Sequence, residues 1–363
     1  MSQDSTFIEI DTSGDLTVKV VEYNYNMTSA DGGHPILKEA QLKVRREVLV
    51  KSSKVFKAML TGFFAEAKKN EVLLEEDTVA SMELWFLAIH GKLEIVAYNL
   101  PIKEIWETIA VGQKYNLDAR QLEPWFETYW QSLDKASISF EDLNSYMYPC
   151  QIFDNAKAFA YITERIAYEA SLPVRDFNPT RHDDLHVEGR VLQQLNAVRG
   201  SVRRKIIGGL FNPLKDIRNC RCAKSKDAVC SYLDGIFLTN VWPLDNNGKI
   251  SNKEIIDGPG IVDWKCELQE GACSICTDKL EGQHIKPLCR YVQNYWQGLC
   301  LDCMNITRPK TGNIHTDYWQ HNALEDWDSK CRITHGRNTW YFSFMGRPEI
   351  MSSYLREQTL NRR

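Results

Sequence analysis

Cysteine is nearly absent from the first half of this 363-residue chain: Cys150 is the single one before residue 200, and the other ten follow it. Apolar runs are short as well, and none approaches the ~18–20 residues that a membrane span requires. The opening stretch, MSQDSTFIEID, lacks the basic segment and apolar core of a secretory leader. Also missing are a Walker loop, a GxGxxG opening a helix, an HExxH and a GxSxG. No internal repeat of a few tens of residues is visible, which argues against a propeller or an ankyrin-type array. The expectation is a non-enzymatic protein of cytosol or nucleus with no membrane partner. In a reducing compartment 11 cysteines are poorly explained as a disulfide framework. Their crowding beyond residue 200 points to metal ligation there.

What is present is ordinary globular material, 43% apolar and 25% charged. The net charge of −4 conceals an uneven distribution. Residues 1–150 carry 15 Lys/Arg against 23 Asp/Glu, whereas residues 198–226 carry nine Lys/Arg against the single acid Asp216. Arg199, Arg203, Arg204 and Lys205 form a candidate patch for nucleic acid or an acidic partner; a solvated helix face is the plainer reading.

Apolar alternation predicts strands over Phe7–Asp11, Gly14–Glu22, Leu42–Val44 and Glu71–Leu74, with a long polar hairpin loop from Tyr23 to Ala40. Spacings of three and four predict helices through Val48–Leu49 and Val55–Leu60, then over Val79–Gly91, from Pro101, and over Ala119–Ser132. Further helical periodicity runs through residues 138–214, including Val187–Leu210, with Gly208-Gly209 as a helix end or hinge. The fold class is α+β.

Residues 6–132 resemble a BTB/POZ domain of the divergent type common in fungal proteins. The resemblance rests on Gly14-Asp15-Leu16-Thr17-Val18, on Val48-Leu49 and on the run from Ser52 to Leu60. Phe63-Phe64-Ala65-Glu66, Ile89-His90-Gly91 and the run from Ala110 to Tyr115 extend it. Residues 138–214 are similar to the helical, BACK-like extension that follows such domains; a cysteine-rich region (215–340) and a tail (341–363) complete the chain. The resemblance implies binding to other proteins and self-association through the first domain. In adaptors of cullin-type ubiquitin ligases a hydrophobic residue, any residue and a glutamate mark the scaffold contact. Phe64-Ala65-Glu66 fits that pattern, making Phe64 and Glu66 candidate partner-binding residues.

The sharpest chemical signal is Cys273-x2-Cys276 and Cys300-x2-Cys303, with 23 residues between the pairs. Two such knuckles make a closed four-thiolate site that suits structural Zn²⁺. Cys220-x-Cys222 supplies another close pair, completed by Cys230, Cys266 or Cys289, and the resemblance groups it with the two C-x2-C pairs. Cys331-x3-His335, His315 and His321 are further candidates. A RING pattern fails, because only His284 and Cys289 lie between Cys276 and Cys300. A binuclear fungal cluster fails for want of six closely spaced cysteines. Interaction scaffold is the leading reading; cullin adaptor and zinc-containing nucleic-acid regulator are the alternatives.

Overall fold

The computed structural model describes residues 6–25, 27–28, 32–93, 99–218, 220–242, 249–304 and 331–334. His315, His321, His335 and the tail from 341 lie outside the described residues, as does the side chain of Cys303. Contacts divide the chain into two compact units, one of residues 1–155 with 177–186 and one of 156–176 with 187–363. The expected helical extension is thus not a unit of its own.

The first unit is built on a four-stranded sheet. Strands β1 (Thr6–Glu9), β2 (Leu16–Tyr23) and β3 (Ile36–Val44) come first, then helices α1 (Arg46–Ser52) and α2 (Lys54–Thr61), then β4 (Glu71–Glu75). The spatial order is β1-β3-β2-β4, with β2 antiparallel to β3 and the two outer strands parallel to their neighbours. Leu16, Val18 and Val20 oppose Val44, Leu42 and Ala40, and all six are buried. One face of each strand therefore enters the core, and a one-residue slip would expose the whole set.

The loop expected from Tyr23 to Ala40 is shorter, because β3 begins at Ile36. Its first half has exposed side chains, so no apolar alternation marks it; what forms it is the ladder to the far end of β2, where Glu39 also pairs with Lys19 at 3.0 Å.

Helices α3 (Val79–Ile89), α4 (Ile102–Lys114), α5 (Glu123–Ser132) and α6 (Phe140–Ile152) complete the unit. The single helix expected over Ala119–Ser132 is split: residues 119–122 form a 3-10 turn, and Pro124 sits in the first turn of α5. The tryptophans of these helices are core. Trp85 and Trp106 are fully buried and donate their indole N–H to the carbonyls of Thr108 (2.7 Å) and Ser145 (2.8 Å). Ser53 joins two elements, capping α2 at Phe56 N and donating to the Tyr115 carbonyl.

Asp77 is a buried charge in this core. It accepts from Tyr115 Oη at 2.6 Å and pairs with Lys114 Nζ at 2.8 Å. Burial, then the Asp77 charge, pushes the Tyr115 phenol well above its usual range, so the hydroxyl stays a donor. Asp77→Ala leaves that buried hydroxyl without its carboxylate and should lower stability by about 1–3 kcal/mol in urea unfolding. The half-exposed Lys114 adds little to this, since water screens it.

The second unit is helical: α7 (Ala156–Glu169), α8 (Gly189–Ile217), α9 (Ser225–Leu238), α10 (Asn252–Ile256), α11 (Pro259–Val262), α12 (Ser274–Leu280), α13 (Ile285–Gln293) and α14 (Leu301–Met304). Helix α8 does not end at Leu210 but runs on through Gly208-Gly209 and Pro213. Gly209 is there for packing, since a Cβ on it would stand 2.3 Å from the Leu288 side chain of α13, whereas a Cβ on Gly208 would meet nothing within 4 Å. No described helix is long and apolar enough to cross a membrane.

Candidate metal centre

Cysteines converge in the second unit, in a pattern the spacing did not anticipate. Cys220 follows the C-terminal end of α8, while Cys273 caps α12 and Cys276 lies within it. Their Sγ atoms form a nearly equilateral triangle, with Cys220–Cys273 at 3.5 Å, Cys220–Cys276 at 3.7 Å and Cys273–Cys276 at 3.8 Å. A tetrahedral ion with bonds of about 2.3 Å to sulfur spans S–S edges of about 3.8 Å. The triangle therefore matches one face of such a tetrahedron.

The surroundings fit as well. Ile217, Ala228, Tyr232, Ile236, Cys276 and Leu280 form one buried cluster, against which Cys220, Cys222, Cys266 and Cys273 pack. The Cys222 backbone amide donates to the Cys220 sulfur and, as the leading cause, holds that thiol below its usual range. An amide aimed at a sulfur stabilises the thiolate, the form that binds metal. The Cys276 thiol is pushed up to about 12, first by burial and then by its hydrogen bonds to Cys220 and Cys273. Three crowded sulfurs cannot all ionise by themselves; a cation between them lets them do so.

Among the described residues, Cys300 groups not with Cys273 and Cys276 but with Asp302 and Cys331. The single four-thiolate site expected across the two C-x2-C pairs is therefore corrected. Regular spacing reports that each knuckle can bind, not which knuckle it meets, and the turn after α8 brings Cys220 to the first pair. Cys222 is not one of the converging thiols, though it lies against the same cluster. Cys266 bonds the Ser231 hydroxyl at 3.7 Å instead, and Cys230 is exposed.

The basic patch does not form as one surface. Arg203 donates to Asn252 Oδ1 at 2.8 Å and to the Ile250 carbonyl at 2.5 Å. Burial lowers its guanidinium pKa to about 10. Arg199 donates to the Ser171 carbonyl at 2.8 Å, and Lys205 lies over the rings of Tyr291 and Tyr295. Arg204 is the exposed member of the four. A one-dimensional charge count misses this because the stems lie along a helix whose neighbours supply carbonyls and rings.

In the first unit, the predicted Phe64 is 61% exposed and Phe63 beside it is fully exposed, with Glu66 half-buried. Arg46 organises this segment, a role the sequence reading missed. Its guanidinium reaches the carbonyls of Leu60 (3.4 Å), Ala67 (3.4 Å) and Lys69, which fixes the loop that carries both rings. Elsewhere in this unit a groove of about 390 Å³ is lined by residues including Asp77, Glu107, Lys114, Arg181 and His182. Five of its charged or titratable side chains are engaged: His182 with Glu107 at 2.7 Å, Lys114 with Asp77, and Arg181 over the Tyr25 ring at 3.4 Å.

Fold and site together define a chain of two parts, a small mixed α+β unit and a helical unit whose clustered thiols can hold a metal ion. Compared with family profiles, with curated proteins and with solved structures, the chain gives no match in any of the three.

Proposed function

We propose that this protein is a non-enzymatic interaction scaffold: a BTB-type unit that docks other proteins, carried with a cysteine-rich unit held together by structural Zn²⁺. The observation that carries the docking half is the Phe63–Phe64 pair. Burying a phenylalanine side chain is worth about 1.5–3 kcal/mol. This chain leaves two adjacent ones in water on a loop that Arg46 holds in place. An apolar anchor with a charge beside it, on a preorganised segment, is what a binding hot spot uses. The sheet order, a hairpin followed by two helices and a strand parallel to β2, supports the BTB reading.

The zinc half rests on the thiol triangle. Four sulfurs close a tetrahedron and leave no open position for substrate, so the ion's role is to hold structure. We assign the fourth position to Cys222, which packs against the same core.

The test of docking is affinity capture with the intact chain, read by mass spectrometry. Phe63→Ser with Phe64→Ala should weaken capture of the principal partners by at least tenfold while the thermal melt stays within a degree or two. An unchanged partner set would remove the reading. The exposure of Phe64 also favours the narrower adaptor reading, in which the captured partner is a cullin. That version requires the wild-type chain to retain a cullin and Phe64→Ala with Glu66→Ala to lose it.

A further inference from the structure

The triangle at Cys220, Cys273 and Cys276 leaves a second group of ligating atoms unused. Cys300 immediately precedes α14 and is 1% exposed; Asp302 is two residues on; Cys331 reaches them from much later in the chain. The two sulfurs and a carboxylate oxygen all lie within 4.8 Å of one another. We propose that Cys300, Cys331 and Asp302 form a second metal site, separate from the first and suited to the same class of ion, a borderline-soft divalent cation such as Zn²⁺.

Three observations carry it. The first is the convergence itself, since two thiols and a carboxylate are ligands for which Zn²⁺ is well matched. The second is the device that holds Cys331 there. Its neighbour Arg332 grips Asp302 through the backbone N–H to Oδ2 (2.7 Å) and the guanidinium to Oδ1 (2.8 and 2.9 Å). Ligating carboxylates are commonly held by such an outer partner, which fixes their orientation. A carboxylate carries about four acceptor positions, so an oxygen that faces Arg332 can also face an ion.

The third observation is charge. Two thiolates and one carboxylate around a divalent ion sum to −1, and the Arg332 guanidinium brings the cluster to neutrality.

The experiment is metal counting on the intact chain, purified reduced and in metal-buffered solution, by native mass spectrometry alongside elemental analysis. Wild-type protein should carry two zinc ions per chain, Cys331→Ser one, Cys276→Ser one, and the double variant none. Arg332→Ala keeps every ligand and should weaken retention of one ion by about 10–100-fold against a competing chelator. That variant also covers the case in which Cys331→Ser fails to fold. One ion that survives Cys276→Ser but not Cys331→Ser would keep this site and remove the first. A wild type that carries a single ion, removed by Cys276→Ser, or two ions retained in Cys331→Ser, would overturn the proposal. So would a peptide map showing Cys300 and Cys331 joined as a disulfide, because the pair would then be a redox element.

Discussion

Cys276→Ser should strip the first ion from the cysteine-rich unit and lower the stability of the helices around it more than any other single-atom exchange in the chain. Cys276 is completely buried, contacts both other sulfurs of the triangle, and belongs to the cluster that includes Tyr232, Ile236 and Leu280. Losing a group that only hydrogen-bonds to a ligand and holds it in place typically costs 10–100-fold in metal affinity. Losing a directly bound thiolate should exceed about 100-fold. Chelation supplies the control. A chelator should lower the melting temperature of the wild-type unit and leave the Cys276→Ser melt almost unmoved, because that ion is already absent. Cys266→Ser alters a half-buried thiol of the same core that bonds Ser231 rather than the triangle, and it should keep the metal. If Cys266→Ser and Cys276→Ser lose metal equally, the triangle is not the site.

The same site makes metal retention depend on pH in a definite direction. Without an ion, burial holds the Cys276 thiol up to about 12, so it is protonated throughout the physiological range. Binding must displace that proton, and each displaced proton makes apparent affinity rise with pH by up to tenfold per unit. Acid should therefore release zinc, and loading the apo protein at neutral pH should release protons that an indicator dye can count. Loading without proton release would mean that the thiols are not the ligands.

Much of the first unit was legible in the sequence because its signals are local. Leu16, Val18 and Val20 alternate, Val55 to Leu60 repeat at helical spacing, and both patterns record which face is buried. The first half of β3 was hidden because its side chains are solvated and its strand character lies in backbone pairing with Val21 and Glu22. In the second unit the C-x2-C pairs announced metal chemistry, but partner choice depends on where α8 ends. Gly208-Gly209 reads as a stop in one dimension, whereas Leu288 occupies the space a Gly209 side chain would need. Once α8 runs on to Ile217, Cys220 falls beside Cys273 and Cys276. Arg46 was invisible for a related reason, since nothing in the sequence shows that one guanidinium will reach three carbonyls of a loop 14 to 23 residues away.

Gly298→Ala should be among the most damaging substitutions outside the cysteines, although it adds one methyl group. Gly298 has φ +84°, and a Cβ built there would stand 1.9 Å from the Ala160 carbonyl oxygen of α7. Both faults act together: the left-handed backbone alone costs an L-residue roughly 1–2 kcal/mol, and the clash is with main chain that no rotamer can relieve. The segment has little room to shift. Thr163 Oγ1 accepts from Leu299 N at 2.8 Å, Tyr168 Oη accepts from Trp296 N at 3.3 Å, and Tyr168 Oη donates to the Val292 carbonyl at 2.6 Å. These bonds hold residues 292–299 against α7 and set the position from which Cys300 starts. The expected loss is about 3–5 kcal/mol in denaturant unfolding, at the upper end for single substitutions. Where enough folded protein survives at low temperature, the variant should also lose the ion assigned to Cys300 and Cys331 while keeping the one at Cys276. Thr163→Val tests the seam more gently, since it keeps the shape and removes the acceptor for Leu299 N; it should cost about 1–3 kcal/mol. A Gly298→Ala protein as stable as wild type would show that the close approach to Ala160 does not constrain this segment.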